Sequence, residues 1–335
     1  MRKSLMPIKP EAVILMLTLF SGCKQLIEVP GNTVGQLTTS NVFADSTSAV
    51  SGVTGIYEGY ISKESPLSGQ LTLYPGLSAD EITSGSDYYK EYFNNALLAT
   101  TTTAPDGSSA PLWDGLYTNT VIYAANASLE GLSGSATLTQ SLKDQLIGEC
   151  EVIRGLAYFN LVNLFGEVPK VTSSNFLINA GLGRSPVESV YTLIISDLTD
   201  ATARLKPSYP SAGRARPNKF TAMALLSKVF LYRQRWTDAD SLASLIIGSG
   251  LYQMETNPGK VFLDGSVESI WQMPGVNDDR VTQEGNIFIP YSPFIIPTFR
   301  LSDPLLKAFE PGDARKSEWV HTVTLNGVEY AYPYK

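Results

Sequence analysis

The sequence predicts a mainly α-helical protein, in which helical hairpins of the tetratricopeptide type stack into an α-α superhelix with long loops and a few short strands. Three observations lead to this fold class. Apolar residues recur every three or four positions over much of the middle of the chain. One such stripe, in residues 142–164, is long enough for about six helical turns. Residues 220–252 contain two helical patterns joined by a tight turn, with the small and aromatic residues that pack a tetratricopeptide hairpin.

The composition is that of a globular chain with a sizeable core. The 335 residues are 43% hydrophobic and 17% charged, which suits one large domain or two ordinary ones. The net charge is −7, and an acidic chain is repelled by phosphate backbones, so no nucleic-acid partner is expected. The single histidine, His321, excludes a zinc site built on paired histidines and argues against a histidine-activated nucleophile. No cofactor or metal is expected.

The first residues have the pattern of an export signal. Three basic residues precede a short apolar run at 12–20, which is too short to span a bilayer. Residues 19–23 resemble a bacterial lipobox, which implies cleavage before Cys23 and acylation of that cysteine. Residues 1–22 are therefore predicted to be a lipoprotein signal peptide and residues 23–40 a flexible tether. The alternative is an ordinary signal peptide followed by an incidental cysteine.

The helices are predicted in order along the chain. The first starts at Asp45 or Ser46 and carries Ala49, Val53, Ile56 and Tyr60 on one side. Residues 62–110 are predicted to be mostly loop with short helical pieces. A second helix spans about 112–132, with one side formed by Leu116, Thr120, Tyr123 and Ala127.

The long stripe predicts the central helix, which ends at Gly166. Cys150 belongs to the stripe and is predicted to be a small buried hydrophobe without a disulfide partner. The next helix is predicted to open with a capping box at Ser185–Glu188. A further helix is capped by Asn218, and Trp236 fills the turn before the last helix of the hairpin, which stops at Gly248 or Gly250.

The helical periodicity ends near residue 253, and the residue pattern beyond it is different. Residues 269–273 are predicted to form a strand that includes Trp271, and 274–300 an irregular segment rich in aromatic residues and proline. A short helix is predicted at 305–309. Weak alternation over 320–332 around Asn326-Gly327 predicts a β-hairpin.

A set of landmarks follows one order along the chain: Phe43, 49–57, 77–81, Trp113-Asp114, Tyr117, Ile122, Asn126, 148–151, Arg154, 157–159, 164–166, 168–169, 218–220, Ala222, 224–226, 231–232, Asp303 and 313–315. This ordered set resembles the SusD/RagB family of Bacteroidetes outer-membrane lipoproteins. Two positions depart from the family pattern: Cys150 stands where the family usually has alanine, and Gln234-Arg235 replaces the usual glycine before a turn.

The resemblance implies a SusD-like domain over residues 41–335. Its parts would be an N-terminal part at 41–140, a tetratricopeptide-like helical core at 141–253 and a loop-rich part at 254–335. The family continues well past this length, so the chain is expected to lack the family's C-terminal part.

The resemblance also implies a function. A protein of this family would be lipid-anchored in the outer membrane, facing the cell exterior. It would capture an oligosaccharide or polysaccharide and pass it to a SusC-like TonB-dependent transporter. It would be neither an enzyme nor a cofactor-binding protein.

Ligand residues are predicted from the chemistry of sugars. Their C–H faces stack on aromatic rings, and their hydroxyl groups bind polar side chains at the rim. The loop-rich tract at 87–95 fits best, and its candidates are Tyr88, Tyr89, Tyr92 and Asn94; the alternative is that Tyr92 and Phe93 belong to the core of a short helix. The second candidate tract is 277–300, with Asn277, Tyr291 and Phe294.

Two other functions stay open. Helical hairpins could act as an interaction scaffold that binds the transporter, with a non-glycan ligand such as a peptide or with none. A surface glycosidase would need two carboxylates across a cleft. Candidate pairs are present, but they are interpreted as solvated or capping residues: Asp80-Glu81, Asp278-Asp279, and Glu149 with Glu151. Arg154, near Glu151, is interpreted as a buried or half-buried polar support.

Overall fold

The computed structural model describes residues 39–61, 66–97, 111–118, 121–273 and 282–334. Cys23, the signal peptide, most of the tether and Asn277 lie outside the described residues, as do residues 98–110 of the segment predicted to be mostly loop. The mainly α-helical prediction is confirmed. The principal helices are α1 (Ser46–Ile61), α2 (Leu71–Ser78), α3 (Val121–Gly134), α4 (Gln140–Phe165), α5 (Val187–Arg204), α6 (Lys219–Tyr232), α7 (Trp236–Gly248), α8 (Gln283–Phe288), α9 (Asp303–Ala308) and α10 (Ala314–Trp319).

Shorter helical segments and four strands complete the described chain. The short segments are Thr39–Val42, Pro66–Gln70, Asp87–Tyr89, Lys90–Phe93, Pro111–Trp113, Asp114–Thr118, Phe176–Asn179 and Pro258–Lys260. The strands are β1 (Ile82–Ser84), β2 (Phe299–Leu301), β3 (Val320–Leu325) and β4 (Val328–Pro333). Several short helices and a strand therefore occupy 66–97, which is less irregular than the sequence predicted.

Consecutive helices pack on one another through the middle of the chain. Helix α3 packs on α4, α4 on α5, α5 on α6, and α6 on α7, while α1 covers α3 and α4. One apolar core runs through this stack, from Phe43 before α1 to Ala239 in α7. Nearest-neighbour packing of this kind is the arrangement of a helical-repeat superhelix, as predicted.

Helix α4 forms the centre of the stack, and nearly the whole circumference of its middle part is buried. The predicted stripe is buried from Leu146 to Leu161, but Tyr158 and Val152 on other sides are buried as well. Gly148 permits the close approach of the end of α5, since a Cβ there would lie 2.7 Å from Cγ of Leu205. The helix ends at Gly166, whose φ of 70° favours glycine.

Two predicted caps are confirmed, and a third is wrong. Asp45 accepts a hydrogen bond from Ser48 N at 3.0 Å at the start of α1. Asn218 and Thr221 form a reciprocal capping box on α6. Helix α5 begins without a side-chain cap, because Ser185 pairs with Val168 in a β-bridge and its hydroxyl accepts a hydrogen bond from the Lys170 backbone.

Three other expectations are corrected. The strand predicted at 269–273 is irregular chain, held by a hydrogen bond from Trp271 Nε1 to the Ala215 carbonyl at 2.9 Å. The apolar face of α3 contains Ile122 and Ala125, so Tyr123 is exposed instead. Trp236 starts α7, is 59% exposed and does not fill the turn.

The strands form two small antiparallel sheets beside the helical stack. Strand β1 pairs with β2, and Thr83 lies opposite Arg300 although 217 residues separate them. Strands β3 and β4 form the predicted hairpin, with Asn326 and Gly327 at φ values of 52° and 78°, the geometry that such hairpin turns need. Strand β2 also contacts β4, which places the hairpin next to the first sheet.

A second, smaller core holds the first sheet in place. Its buried members are Leu73, Leu77, Ile82, Phe288 and Phe299. They come from α2, β1, α8 and β2, so parts of the chain that are distant in sequence make one layer.

Of the helices that the structure describes, none has both the length and the apolar character that crossing a bilayer requires.

Candidate functional site

The predicted tyrosine tract directly follows β1. The Ser86 hydroxyl caps the short helix Asp87–Tyr89, which continues into Lys90–Phe93. The ring of Tyr89 packs edge-on against Phe299 at 4.9 Å between centroids. Tyr92 packs on Tyr74 at 4.5 Å, and burial raises the pKa of its hydroxyl. Tyr92 thus sits partly in the small core, as the alternative interpretation had it, whereas Phe93 is exposed and does not.

A small cavity lies against this tract, and we call it the tyrosine cavity. It has a volume of about 290 Å³, close to the lower limit of ordinary ligand pockets. Tyr89 contributes an aromatic face and Asn94 an amide. The other lining residues are Leu77, Thr83, Ser84, Gly85, Ser86, Asp87, Lys90 and Phe93. An apolar face with a rim of hydroxyl, amide and charged groups is suited to a sugar ring.

The other predicted site residues do not all meet at this cavity. Tyr88 is 40% exposed and stands beside it, with its ring 5.6 Å from that of Tyr89. Tyr291 and Phe294 are 91% and 82% exposed between α8 and β2, and they do not line the tyrosine cavity. The structure therefore brings Tyr89 and Asn94 together and leaves Tyr291 apart from them.

A larger cleft lies between the two sheets, and we call it the hairpin cleft. Its volume is about 540 Å³, and it is bounded by β1, β2, α9, α10 and the β3–β4 hairpin. The polar lining consists of Thr83, Arg300, Ser302, Asp303, Lys316, Thr322, Glu329 and Tyr330. The sequence analysis did not predict this cleft. The hairpin was recognisable, but the pairing of β1 with β2 had no local signal.

Arg300 connects the walls of the two cavities. Its guanidinium carbon lies 5.6 Å from the centre of the Tyr330 ring in the hairpin cleft. On the other side, a Cβ on Gly85 in the wall of the tyrosine cavity would lie 3.2 Å from Arg300 Nη2. Thr83 lines both cavities.

The stack formed by the principal helices contains two buried polar clusters. In the first, Arg154 donates two hydrogen bonds to Asp197, at 2.8 and 2.7 Å, and one to Asn126 at 2.6 Å. In the second, Arg216 and Tyr57 both donate to the Glu149 carboxylate. The interpretation of Arg154 as a buried support is confirmed.

The interpretation of Glu149 and Glu151 as solvated or capping residues is wrong. Both are buried, because α4 has neighbours on several sides. Residues two apart point to different sides of a helix, so these carboxylates do not face each other across a cleft as a hydrolytic pair would. Cys150 between them is fully buried, as predicted, and burial raises the pKa of its thiol.

These features define a class of protein: a helical-repeat scaffold that carries ligand-sized cavities on an attached layer of strands and short helices. Comparison with known proteins agrees with that class. The sequence profile of a SusD-like family, described as "Starch-binding associating with outer membrane", matches residues 56–231. The chain belongs to this family.

Two curated SusD-like proteins of Formosa agariphila are similar to the chain. One is 28% identical over 177 residues, covering 52% of this chain and 33% of its relative. The other is 28% identical over 243 residues, covering 71% of this chain and 45% of its relative. The chain thus spans less than half the length of these relatives.

Solved structures share the fold. A structure named as a laminarin-binding SusD-like protein superposes with a TM-score of 0.64 at 20% sequence identity. The match covers 82% of this chain and 65% of that one. At this identity the likeness establishes the fold, which here includes residues well beyond the 56–231 segment.

Proposed function

We propose that the protein is a lipid-anchored binding protein of the bacterial outer membrane, facing the cell exterior. It captures an oligosaccharide or polysaccharide without altering it. A SusC-like TonB-dependent transporter would then receive the ligand. The family description, which names starch binding and the outer membrane, supports the general role.

The tyrosine cavity is the observation that carries the glycan-binding part of the proposal. Tyr89 is fixed by Phe299, so its ring offers a rigid surface at little entropic cost. Asn94 and the Ser84 and Ser86 hydroxyls lie at the same cavity and can exchange hydrogen bonds with sugar hydroxyls. The laminarin-binding relative of the same fold further supports a saccharide ligand.

Replacing Asn94 in the wall of this cavity, or Tyr88 beside it, should weaken glycan binding. We expect Asn94→Ala and Tyr88→Ala each to raise Kd about tenfold, since a lost hydrogen bond or stacking contact is worth about 1 kcal/mol or somewhat more. Calorimetric titration with laminarin and a panel of neutral polysaccharides would measure this. Both side chains are exposed, so the melting temperature should hardly change.

Two further variants sharpen the test. Tyr123→Ala removes another exposed tyrosine, from α3, and should leave Kd unchanged. Tyr291→Ala tests whether the second predicted tract, residues 277–300, contributes to binding, and the same titration measures its Kd. Unaltered Kd in Asn94→Ala and Tyr88→Ala would exclude the tyrosine cavity, and no binding to any polysaccharide would refute the ligand class.

The lipid anchor rests on Cys23, through the lipobox pattern of residues 19–23. Acyl chains on Cys23 would hold the protein at the membrane while the acidic chain itself is not attracted to anionic lipid. Mass spectrometry of the protein from the native membrane should find a lipidated Cys23 at the N-terminus. An unmodified Cys23 within an intact N-terminal sequence would refute the anchor.

An interaction scaffold is the second candidate function. A specific observation favours it: Phe176, Leu177 and Ile178 are 76%, 84% and 59% exposed on one short helix. Adjacent apolar side chains exposed in this way are typical of protein interfaces. Copurification with a transporter that depends on these residues, without any glycan binding, would favour this function.

A further inference from the structure

We propose that the hairpin cleft is a second saccharide site, which binds a sugar carboxylate, as in a uronic acid residue, on Arg300. This inference deepens the proposed glycan-binding function and rests on it. The tyrosine cavity would bind neutral parts of the same class of ligand.

The position of Arg300 is fixed by the fold. It is the middle residue of β2, paired with Thr83 of β1, and β2 also contacts β4 of the hairpin. The guanidinium group lies over the ring of Tyr330. A cation held between a sheet and an aromatic ring is already oriented before a ligand arrives, which lowers the entropic cost of binding.

The bonding of Arg300 is incomplete within the protein. Its Nε atom is shielded from solvent and has no acceptor among the described residues. None of the ion pairs found in the described chain includes Arg300, although Asp303 and Glu329 line the same cleft. Arg300 as a whole is half-buried and lines the cleft, so a ligand there can reach its guanidinium group and accept charge-assisted hydrogen bonds from it.

The geometry of the donor selects a carboxylate. A guanidinium group presents parallel N–H donors that match the two oxygens of a carboxylate. Lys316 adds a second cation, whereas Asp303 and Glu329 offset both positive charges at the exposed rim. Because these two positive and two negative charges sum to zero, the cleft does not favour a densely charged polyanion. It suits a saccharide with one carboxylate on Arg300 and hydroxyl groups near Asp303, Glu329 and Thr322.

The volume of the cleft and its position agree with this assignment. At about 540 Å³ it lies within the ordinary range of ligand pockets and exceeds the tyrosine cavity. Thr83 borders both cavities, and the Arg300 guanidinium approaches Gly85 in the wall of the tyrosine cavity. A single oligosaccharide with neutral and acidic residues could therefore contact both.

The test compares acidic oligosaccharides with their carboxyl-reduced, neutral counterparts. The full chain is titrated calorimetrically with oligomers of galacturonic, glucuronic and mannuronic acid and with the reduced form of each. We expect at least one acidic oligomer to bind tenfold or more tightly than its reduced form. Arg300→Met should abolish that preference, and raising the salt concentration should reduce it.

Matched variants separate the possible outcomes. Arg315→Met removes an exposed arginine that pairs with Asp313 and does not line the cleft, so it should keep the preference. The melting temperature of Arg300→Met should stay close to that of the wild type, because Arg300 makes no ion pair in the described chain.

Equal Kd values for all acidic and reduced pairs, or a preference that survives Arg300→Met, would overturn the inference while leaving the proposed function intact. A sulfated neutral oligosaccharide that binds as tightly as the acid would overturn the assignment to a carboxylate. Failure of every saccharide, acidic or neutral, to bind would instead refute the proposed function on which the inference rests.

Discussion

Arg154→Met should lower the free energy of unfolding by about 3–5 kcal/mol, since removing one partner leaves the other charge buried and uncompensated. The guanidinium holds both oxygens of Asp197, and the two side chains are only 10% and 5% exposed. It also donates to Asn126. Because these residues belong to α4, α5 and α3, one substitution loosens three helices of the stack.

Urea denaturation at neutral pH measures this effect, and the chain contains a matched control. Arg235 pairs with Asp238 at the same 2.7 Å, but both side chains are nearly half exposed. Arg235→Met should therefore cost less than about 1 kcal/mol. Adding Asp197→Leu to Arg154→Met should recover part of the loss. Equal destabilisation by Arg154→Met and Arg235→Met would contradict the role given to the buried pair.

The helical scaffold could be predicted because the sequence patterns that specify its helices and caps extend over only a few neighbouring residues. Positions such as Leu146 and Ile153 repeat with the period of a helix, and Asn218 is a cap that acts over three residues. The wrong predictions concern residues whose contacts with parts of the chain distant in sequence differ from what the local sequence pattern favours. Ser185 could have capped α5, but it bonds the backbone near Val168 instead. Tyr123 was assigned to the wrong side of α3 because its helical spacing from Leu116 did not reveal which face was covered.

The cavities were harder to predict for the same physical reason. Strands β1 and β2 have three residues each, too few to show an alternating period, and they lie far apart in the sequence. Nothing local indicates that Arg300 lies opposite Thr83. The tyrosine tract was recognisable from composition, but the roles of Tyr89 and Tyr92 depend on packing against Phe299 and Tyr74.

Glu151 gives the folded chain a pH dependence that carboxylates seldom cause. Burial and the nearby carboxylates of Asp200 and Asp197 raise the pKa of Glu151 to about 9, from an ordinary value of 4.5. No hydrogen bond from the described residues reaches its Oε2 atom, which suits a protonated carboxyl. The folded chain therefore keeps this proton at neutral pH, whereas the unfolded chain has released it.

The sign of the effect follows from proton binding. Between about pH 4.5 and 9 the folded state binds more protons at Glu151 than the unfolded state, so its contribution to stability is complete below that range and falls as pH rises. The slope is at most about 1.4 kcal/mol per pH unit. Glu151→Gln cannot titrate, so from pH 5.5 to 8.0 the wild type should lose about 3 kcal/mol relative to this variant.

Urea denaturation of both proteins at several pH values tests this, and taking the difference cancels the groups that they share. Asp197 is such a group: burial raises its pKa, and Glu151→Gln leaves Asp197 in place. Glu188→Gln, at a carboxylate that is 74% exposed, is the matched control and should give a profile parallel to the wild type. A constant difference between wild type and Glu151→Gln over this range would mean that Glu151 is ionised in the folded state. The buried interface of α4 and α5 would then hold a negative charge that the observed contacts do not neutralise.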